Sequence, residues 1–344
     1  MSTPDPVVVP VPELRQWCAG VLEALGQAPT NAEVAAEVLV RTTARGFRSH
    51  GVELLPMYAS WMRSGAVVGD ARPEVVHTSG AVAVVEAHGA LGQVAATTAV
   101  RVAGDLADRH GLGMVTVRGS NHAGALGHYV LTEAERGHLA VAWSSAPPTM
   151  HAPGGRGRLI GNGPTAYGVP RAGQPPVVFD AAMSVGAGGK VAQARARGET
   201  LPDGWILDRD GRPTTRPEDA AEGSFVPIGE HKGFGLALLA EMLSTCLAGA
   251  TLSGDLPPLQ PPPRTPFGMG HAFLVIDGDR FGADSKGEAS RLSDLVRGSA
   301  LRRGSEEVVT PGDRAHAREQ AALRDGVVFD EATWARLEAV RASR

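Results

Sequence analysis

Residues 113–143 read GMVTVRGSNHAGALGHYVLTEAERGHLAVAW, and this stretch decides the fold class. Gly113–Val117 has the apolar texture of a short buried strand, a helical pattern follows from Gly127 to Arg136, and Leu139–Trp143 reads as a second strand. That order resembles a βαβ crossover. Further out, Ala81–Val85, Val177–Asp180 and Ala272–Ile276 read as additional buried strands, with helical patterns between several of them. The alternation predicts an α/β core, and no internal repeat is evident.

Upstream of this core the chain reads as helical. Thr30-Asn31-Ala32-Glu33 has capping-box spacing, which predicts a helix starting there and ending near Gly46. Phe47–Gly51 is then a loop. Leu54, Leu55, Tyr58 and Met62 lie at helical spacing, so a short helix is predicted over Leu54–Arg63 with Gly65 as its cap. Downstream, Leu256–Pro266 is Pro-rich and reads as an extended surface connection. From Val308 onward, spacing rich in Ala, Arg and Glu predicts a solvated helix packing back on the body.

Composition narrows the function classes. The 344 residues are 43% hydrophobic and 20% charged, ordinary globular usage that excludes a disordered or fibrous chain. A net charge of −4, from 33 basic and 37 acidic residues, gives no pull toward nucleic acid, so small molecules are the expected partners. Cys18 and Cys246, the only cysteines, supply neither a disulfide framework nor a Cys-rich zinc site, and no metal is expected. Met1–Gly20 lacks a basic segment followed by an apolar run, and Glu241 interrupts the longest apolar stretch, Gly233–Leu252. A cytoplasmic protein is expected.

Common catalytic templates fail. No G-x-G-x-x-G lies between a strand and a helix, so a Rossmann fingerprint is absent. Gly186-Ala187-Gly188-Gly189-Lys190 is followed by Val191 where a phosphate loop needs Ser or Thr, and neither H-E-x-x-H nor G-x-S-x-G occurs. What remains is a set of polar groups at strand ends or helix starts: Ser49-His50, Asn121-His122, Ser144-Ser145, Asp180 and His231-Lys232. In α/β proteins such positions converge on ligand clefts. His231-Lys232-Gly233-Phe234-Gly235 also precedes Leu236, Leu239, Leu243 and Leu247 at helical spacing, and a helix N-terminus beside a lysine suits a phosphate.

Read in order, several short motifs resemble the malate/L-lactate dehydrogenase family, which includes sulfolactate, ureidoglycolate, diketogulonate and cyclic-imine enzymes. They are Arg45-Gly46-x-x-Ser49-His50-Gly51-Val52 with Pro56 and Tyr58, Gly89-x-x-Gly92-Gln93, Ser120-Asn121-His122-x-Gly124-Ala125, and Asp180-x-Ala182-x-Ser184 with Gly189-Lys190. Gly204-Trp205 with Asp208 and Gly211, Lys232-Gly233-Phe234-Gly235-Leu236, and Pro311-Gly312-Asp313 continue the match nearly to the end. The resemblance implies a non-Rossmann mixed sheet with helical N- and C-terminal segments, and a homodimer whose sites lie near the subunit interface. The expected division is a helical segment, 1–80, packed with a C-terminal one, 290–344, around a nucleotide-binding core, 81–289. By position, NAD or NADP would be contacted by Ser144, Asp180, Ala181, Ala182, His231, Lys232 and Gly312. The implied chemistry is hydride transfer between nicotinamide and the C=O or C=N carbon of a small 2-oxo acid, 2-hydroxy acid or cyclic imine. A histidine handles the proton, which suits an imidazole titrating near neutrality. His50 matches that residue, with Ser49 beside it to bond the reacting oxygen, and His122 matches the proton acceptor of the ureidoglycolate branch.

The chain departs from the family where the substrate's carboxylate is gripped. The family's arginine four residues after the catalytic histidine, which makes paired charge-assisted bonds, is Leu54 here. Its Gly-Thr-Asn-Pro is Gly161-Asn162-Gly163-Pro164, and the aspartate before Ser49 is Arg48. Either Arg48 supplies the missing anchor from another direction, or the substrate differs in size, charge or anchoring. A scaffold that has lost redox turnover and serves as a binding or structural homodimer is the alternative.

Overall fold

The computed structural model describes residues 6–342, so residues 1–5 of the stretch read as leaderless fall outside it. Its elements run β1 (Val7–Val9), α1 (Val11–Ala24), α2 (Pro29–Ala44), α3 (Leu55–Ser64), β2 (Glu74–Ser79), β3 (Val82–Glu86), α4 (Gly92–His110), β4 (Leu112–Ser120), α5 (Gly127–Arg136), β5 (Leu139–Ser144), β6 (Thr165–Arg171) and β7 (Gln174–Ala181). There follow α6 (Gly188–Arg197), the two-residue strands β8 (Ile206–Leu207), β9 (Pro213–Thr214) and β10 (Ser224–Phe225), α7 (His231–Glu241), β11 (Met269–Ile276), α8 (Ser285–Arg297), α9 (Asp313–Asp325), β12 (Val327–Phe329) and α10 (Glu331–Ala342).

Seven strands form the central sheet in the order β2-β3-β4-β11-β5-β6-β7. Only β3 and β4 pair in parallel; every other neighbouring pair in this sheet is antiparallel, so the sheet is mixed. The crossover read in residues 113–143 is present in split form. Strands β4 and β5 do run in the same direction around α5, but β11 lies between them and pairs with both. The adjacent parallel unit is β3-α4-β4.

Pleating decides what each face of the sheet carries. Phe273 and Val275 of β11 enter a core with Val85, Val115, Val117 and the inner faces of α4 and α5. On the opposite side, a side chain at Gly270 would strike the carbonyl of Ser244, in the π-helical turn that continues α7. The sheet is thus sandwiched between α4/α5 and the α7 segment. A second core joins α1, α2 and α3 to Phe329, Leu337 and Val340 near the C-terminus, and β1 pairs with β12.

Several local expectations are revised. Helix α2 starts at Pro29, and Thr30 makes no cap; the Asn31 carboxamide instead donates to Gly69 O at 3.1 Å and Ala71 O at 3.0 Å. The Pro-rich segment is irregular as expected, yet Leu256 is buried and Leu259 O accepts from Trp61 Nε1 at 3.0 Å. The C-terminal segment is two helices with β12 between them. On α7 and the turn that follows it the leucine stripe faces outward, with Leu236 52% and Leu247 58% exposed, while Gly233, Ala237 and Ala240 pack inward.

Candidate active site

Two loop arms bring two histidines face to face. The first leaves α2, which ends against Arg45, a buried guanidinium paired with Glu319 of α9 at 2.5 Å. Arg48–His50 then forms a single 3-10 turn. Its position against α2 requires Gly51, because a Cβ there would lie 2.1 Å from Thr43 Oγ1. Thr43 Oγ1 accepts from Val52 N at 2.9 Å and donates to Leu39 O at 2.8 Å, clamping the turn. His50 is left exposed at the cleft mouth, with Ser49 Oγ 2.9 Å from its Nδ1. Protein mass around the ring disfavours the cation and lowers its pKa.

The second arm follows β4. Asn121 is wholly buried and donates to Gly89 O and Ala90 O, both at 2.9 Å, while its Oδ1 accepts from Phe267 N at 3.2 Å. Gly92, in the first turn of α4, makes room: a Cβ there would lie 2.2 Å from Asn121 O. His122 is thereby set with its ring centroid 5.9 Å from that of His50. Its Nδ1 meets Tyr58 OH at 2.9 Å, and Gln93 Nε2 donates to that hydroxyl at 2.6 Å. Burial, then the charges of His50 and His271, lower the His122 pKa to about 3.

Three contributors here had no chemical role in the sequence reading. Tyr58 and Gln93 counted only as helix packing or motif matches, although a glutamine within the apolar start of α4 is a usable signal. His271 was missed, and nothing local marks it. It is buried on β11, with Nδ1 2.8 Å from Ser144 Oγ and Nε2 2.9 Å from Ser120 Oγ, and burial lowers its pKa to about 4. Ser144, expected at the cofactor, has its hydroxyl engaged with His271 and with Ser145 O at 2.9 Å, inside the protein.

The other expected cofactor residues fall into two groups. Asp180 and Gly312 line a cavity of about 420 Å³ beneath β7, which also reaches Phe47 and Ala125, next to both histidine arms. Asp180 Oδ2 accepts from Gly127 N at the start of α5 at 2.7 Å, and burial raises its pKa to about 6 despite that bond. Gly312 caps α9 and lies against Val178. Neither Ala181 nor Ala182 lines that cavity, and Ala181 packs with Met150, Ile160 and Met183. Met183 donates its N–H to Asn162 O at 2.8 Å and accepts from Ile228 N at 2.9 Å, which draws the start of α7 toward the end of β7. His231 and Lys232 are exposed in the first turn of α7.

Of the expected substrate residues, Arg48 is turned away. Its Nε pairs with Glu53 at 2.6 Å, one terminal nitrogen donates to Val328 O at 2.8 Å, and the guanidinium sits 4.9 Å over the Phe329 ring. Those contacts direct its guanidinium to β12. Leu54 packs on the N-terminal core, and Asn162 is half-buried. Beside Ser49 lies the first turn of α6, where a Cβ at Gly189 would be 3.9 Å from Ser49 Cβ.

A family model described as malate/L-lactate dehydrogenase matches residues 9–338. The chain belongs to the malate/L-lactate dehydrogenase family. As such it is an oxidoreductase of the dehydrogenase/reductase type. It is 37% identical over 305 residues to a (2R)-3-sulfolactate dehydrogenase (NADP(+)) of Chromohalobacter salexigens, covering 89% of this chain and 90% of that one. To a Δ1-pyrroline-2-carboxylate/Δ1-piperideine-2-carboxylate reductase of Pseudomonas syringae it is 34% identical over 332 residues, covering 96% and 95%. The crystal structure of Δ1-piperideine-2-carboxylate reductase from that species superposes with TM-score 0.90 at 32% identity, covering 97% and 99%. Malate dehydrogenase from Entamoeba histolytica, at 23% identity and TM-score 0.92 over 98% of both chains, shares the fold.

The cavity beneath β7 suits the dinucleotide this family uses. Thr42 and His128 line it with other atoms, since Thr42 Oγ1 and His128 Nδ1 are closed off inside the protein and have no partner among the described residues. Arg318 borders the cavity and forms no ion pair among the described residues, so a cation is available at its edge. Among the described residues no helix is long and apolar enough to cross a membrane, and no group of three His, Cys, Asp or Glu could hold a metal ion.

Proposed function

We propose that this protein is an NAD(P)-dependent oxidoreductase acting on the C=O or C=N carbon of a small 2-oxo acid, 2-hydroxy acid or cyclic imine, with an anchor unlike the family's arginine. The observation that carries the reading is the pair His50 and His122, both with lowered pKa, beside a cavity lined by Asp180 and Arg318. When bound, the nicotinamide supplies or accepts the hydride. His50 exchanges the accompanying proton with the substrate oxygen. Ser49 orients it: a serine hydroxyl can accept from Nδ1–H or donate to a bare Nδ1, so it supports either protonation state of His50. We assign Asp180 and Gly312, with Thr42 and His128, to the cofactor's cavity, and Ala181, Ala182, His231 and Lys232, with the end of β5 at Ser144, to contacts at the α7 end.

With Leu54 apolar and Arg48 held at β12, no guanidinium of the His50 loop is offered to a carboxylate. A buried carboxylate without a partner costs several kcal/mol, so ordinary 2-oxo acids bind weakly and a substrate with a different anchor is preferred. The test is a titration with NADH and NADPH, followed by a panel of 2-oxo acids, cyclic imines and non-carboxylate ketones. Absence of cofactor binding at millimolar concentration sinks the oxidoreductase reading and leaves the redox-inactive scaffold. We further propose a homodimer, supported by the outward leucines Leu236, Leu239 and Leu247, and a cytoplasmic location, supported by two free cysteines. Sedimentation at micromolar concentration checks the dimer.

A further inference from the structure

The hydrogen-bond chain ending on His122 has a direction. Tyr58 is wholly buried, and its hydroxyl has two neighbours, Gln93 Nε2 at 2.6 Å and His122 Nδ1 at 2.9 Å. An amide –NH2 only donates, so the hydroxyl oxygen accepts from Gln93 and its single hydrogen goes to His122 Nδ1. A neutral His122 whose Nδ1 accepts must carry its hydrogen on Nε2. This arrangement leaves one atom of the chain unpartnered, the buried Oε1 of Gln93. Turning the amide over would let Tyr58 donate to Oε1 and accept from an Nδ1–H of His122, but it would orphan the amide's N–H groups. A carbonyl without a partner is the more tolerable of the two states.

We propose that Gln93 and Tyr58 are positioning residues that hold His122 as the neutral Nε2–H tautomer, so that it donates a hydrogen bond to the substrate's reacting carbonyl oxygen and exchanges no proton with it. The proton then belongs to His50 alone. Burial and the neighbouring His50 and His271 keep His122 uncharged far below neutrality, which supports a fixed donor. The pair of rings, 5.9 Å apart, thus divides its labour: one titrates, the other polarises. Support from behind is rigid, since Gln93 lies in the first turn of α4 beside Gly92, which itself contacts the Asn121-His122 backbone.

This inference rests on the hydride-transfer reading above, but its first test does not use turnover. Full-length protein with 15N-labelled histidine is examined by long-range 1H–15N spectra, His122 being assigned by the signal lost in His122→Gln. The expected spectrum shows hydrogen on Nε2 and a bare Nδ1, unchanged between neutral and mildly acid pH. Hydrogen on Nδ1 in the unmutated protein overturns the proposal, whatever any variant does. In Tyr58→Phe, which keeps the ring packing, the fixed tautomer is lost and kcat falls about tenfold while the KM for NADPH stays level. An unchanged tautomer with unchanged kcat in that variant also overturns it. If NADPH fails to bind while His122 keeps its hydrogen on Nε2, the hydride-transfer reading fails and the relay stands.

Discussion

The histidine cleft and the cavity beneath β7 both concentrate buried polar groups, and they treat them in opposite ways. In the cleft, Gln93, Tyr58, His122 and Asn121 are linked to one another or to backbone, and Ser49 is bonded to His50. Behind the cavity wall, Thr42 Oγ1 and His128 Nδ1 have no partner among the described residues, and at its edge Arg318 forms no ion pair among them. A network so linked, with the Gln93 Oε1 carbonyl left over, fixes tautomers and ring orientations before a ligand arrives. A cation left without an ion pair at a cavity edge is available to an anionic ligand. The cleft is therefore preorganised for chemistry, and the cavity keeps a charge for a ligand.

The largest effect expected is in the cleft: His50→Ala lowers kcat by about 10²–10⁴-fold, measured under saturating NADPH, and undiminished turnover would refute the assignment of the proton to His50. Next, Leu54→Arg restores a guanidinium and should raise kcat/KM for a 2-oxo acid by about 10- to 100-fold, the worth of a charge-assisted pair. If the selectivity between 2-oxo acids and neutral ketones does not move, the substrate does not approach that position. A smaller effect tests the cavity: Arg318→Ala weakens NADPH binding about 3- to 10-fold while the melting temperature of the free protein holds. A fall in both would make the guanidinium structural and erase the contrast between the two regions.

The smallest effect per residue is in the pH dependence. His122, His128 and His271 have folded pKa values of about 3, 3 and 4, below the 6.5 of an unfolded histidine. Above 6.5 both states are neutral; as pH falls toward those values the unfolded chain binds protons that the folded one refuses. Each should cost about 1 kcal/mol one pH unit below 6.5, read by urea denaturation across that window. His50 also titrates below 6.5, so oxidation of a hydroxy acid, which needs it neutral, gains an acid limb with a midpoint under that value.

Much of the cleft was legible because its determinants are local. Ser49-His50-Gly51 and Asn121-His122 sit on short loops, and the demand for Gly51 and Gly92 is a matter of immediate backbone approach. Gln93 could be seen as a polar residue in an apolar run, but not its partner, since Tyr58 lies 35 positions away. The capping box at Thr30 failed for a related reason: Asn31 found backbone carbonyls of a distant loop, and Pro29 at the first helical position started the helix. The outward leucines of α7 carry a helical period that cannot say which way the stripe faces; small residues opposite them fit against the body.

By itself the sequence determined the α/β class, the lack of a Rossmann fingerprint, the two histidine loops and the loss of the family's arginine at Leu54. These depend on residue type and short spacing, which the chain carries wherever it folds. That β11 separates β4 from β5, that His271 braces the Asn121-His122 turn, and that Arg48 is held by Glu53 and Phe329 were set by the tertiary structure alone. Strand order and the reach of a long side chain depend on partners far along the chain, and their energies are settled by which contacts exclude water together.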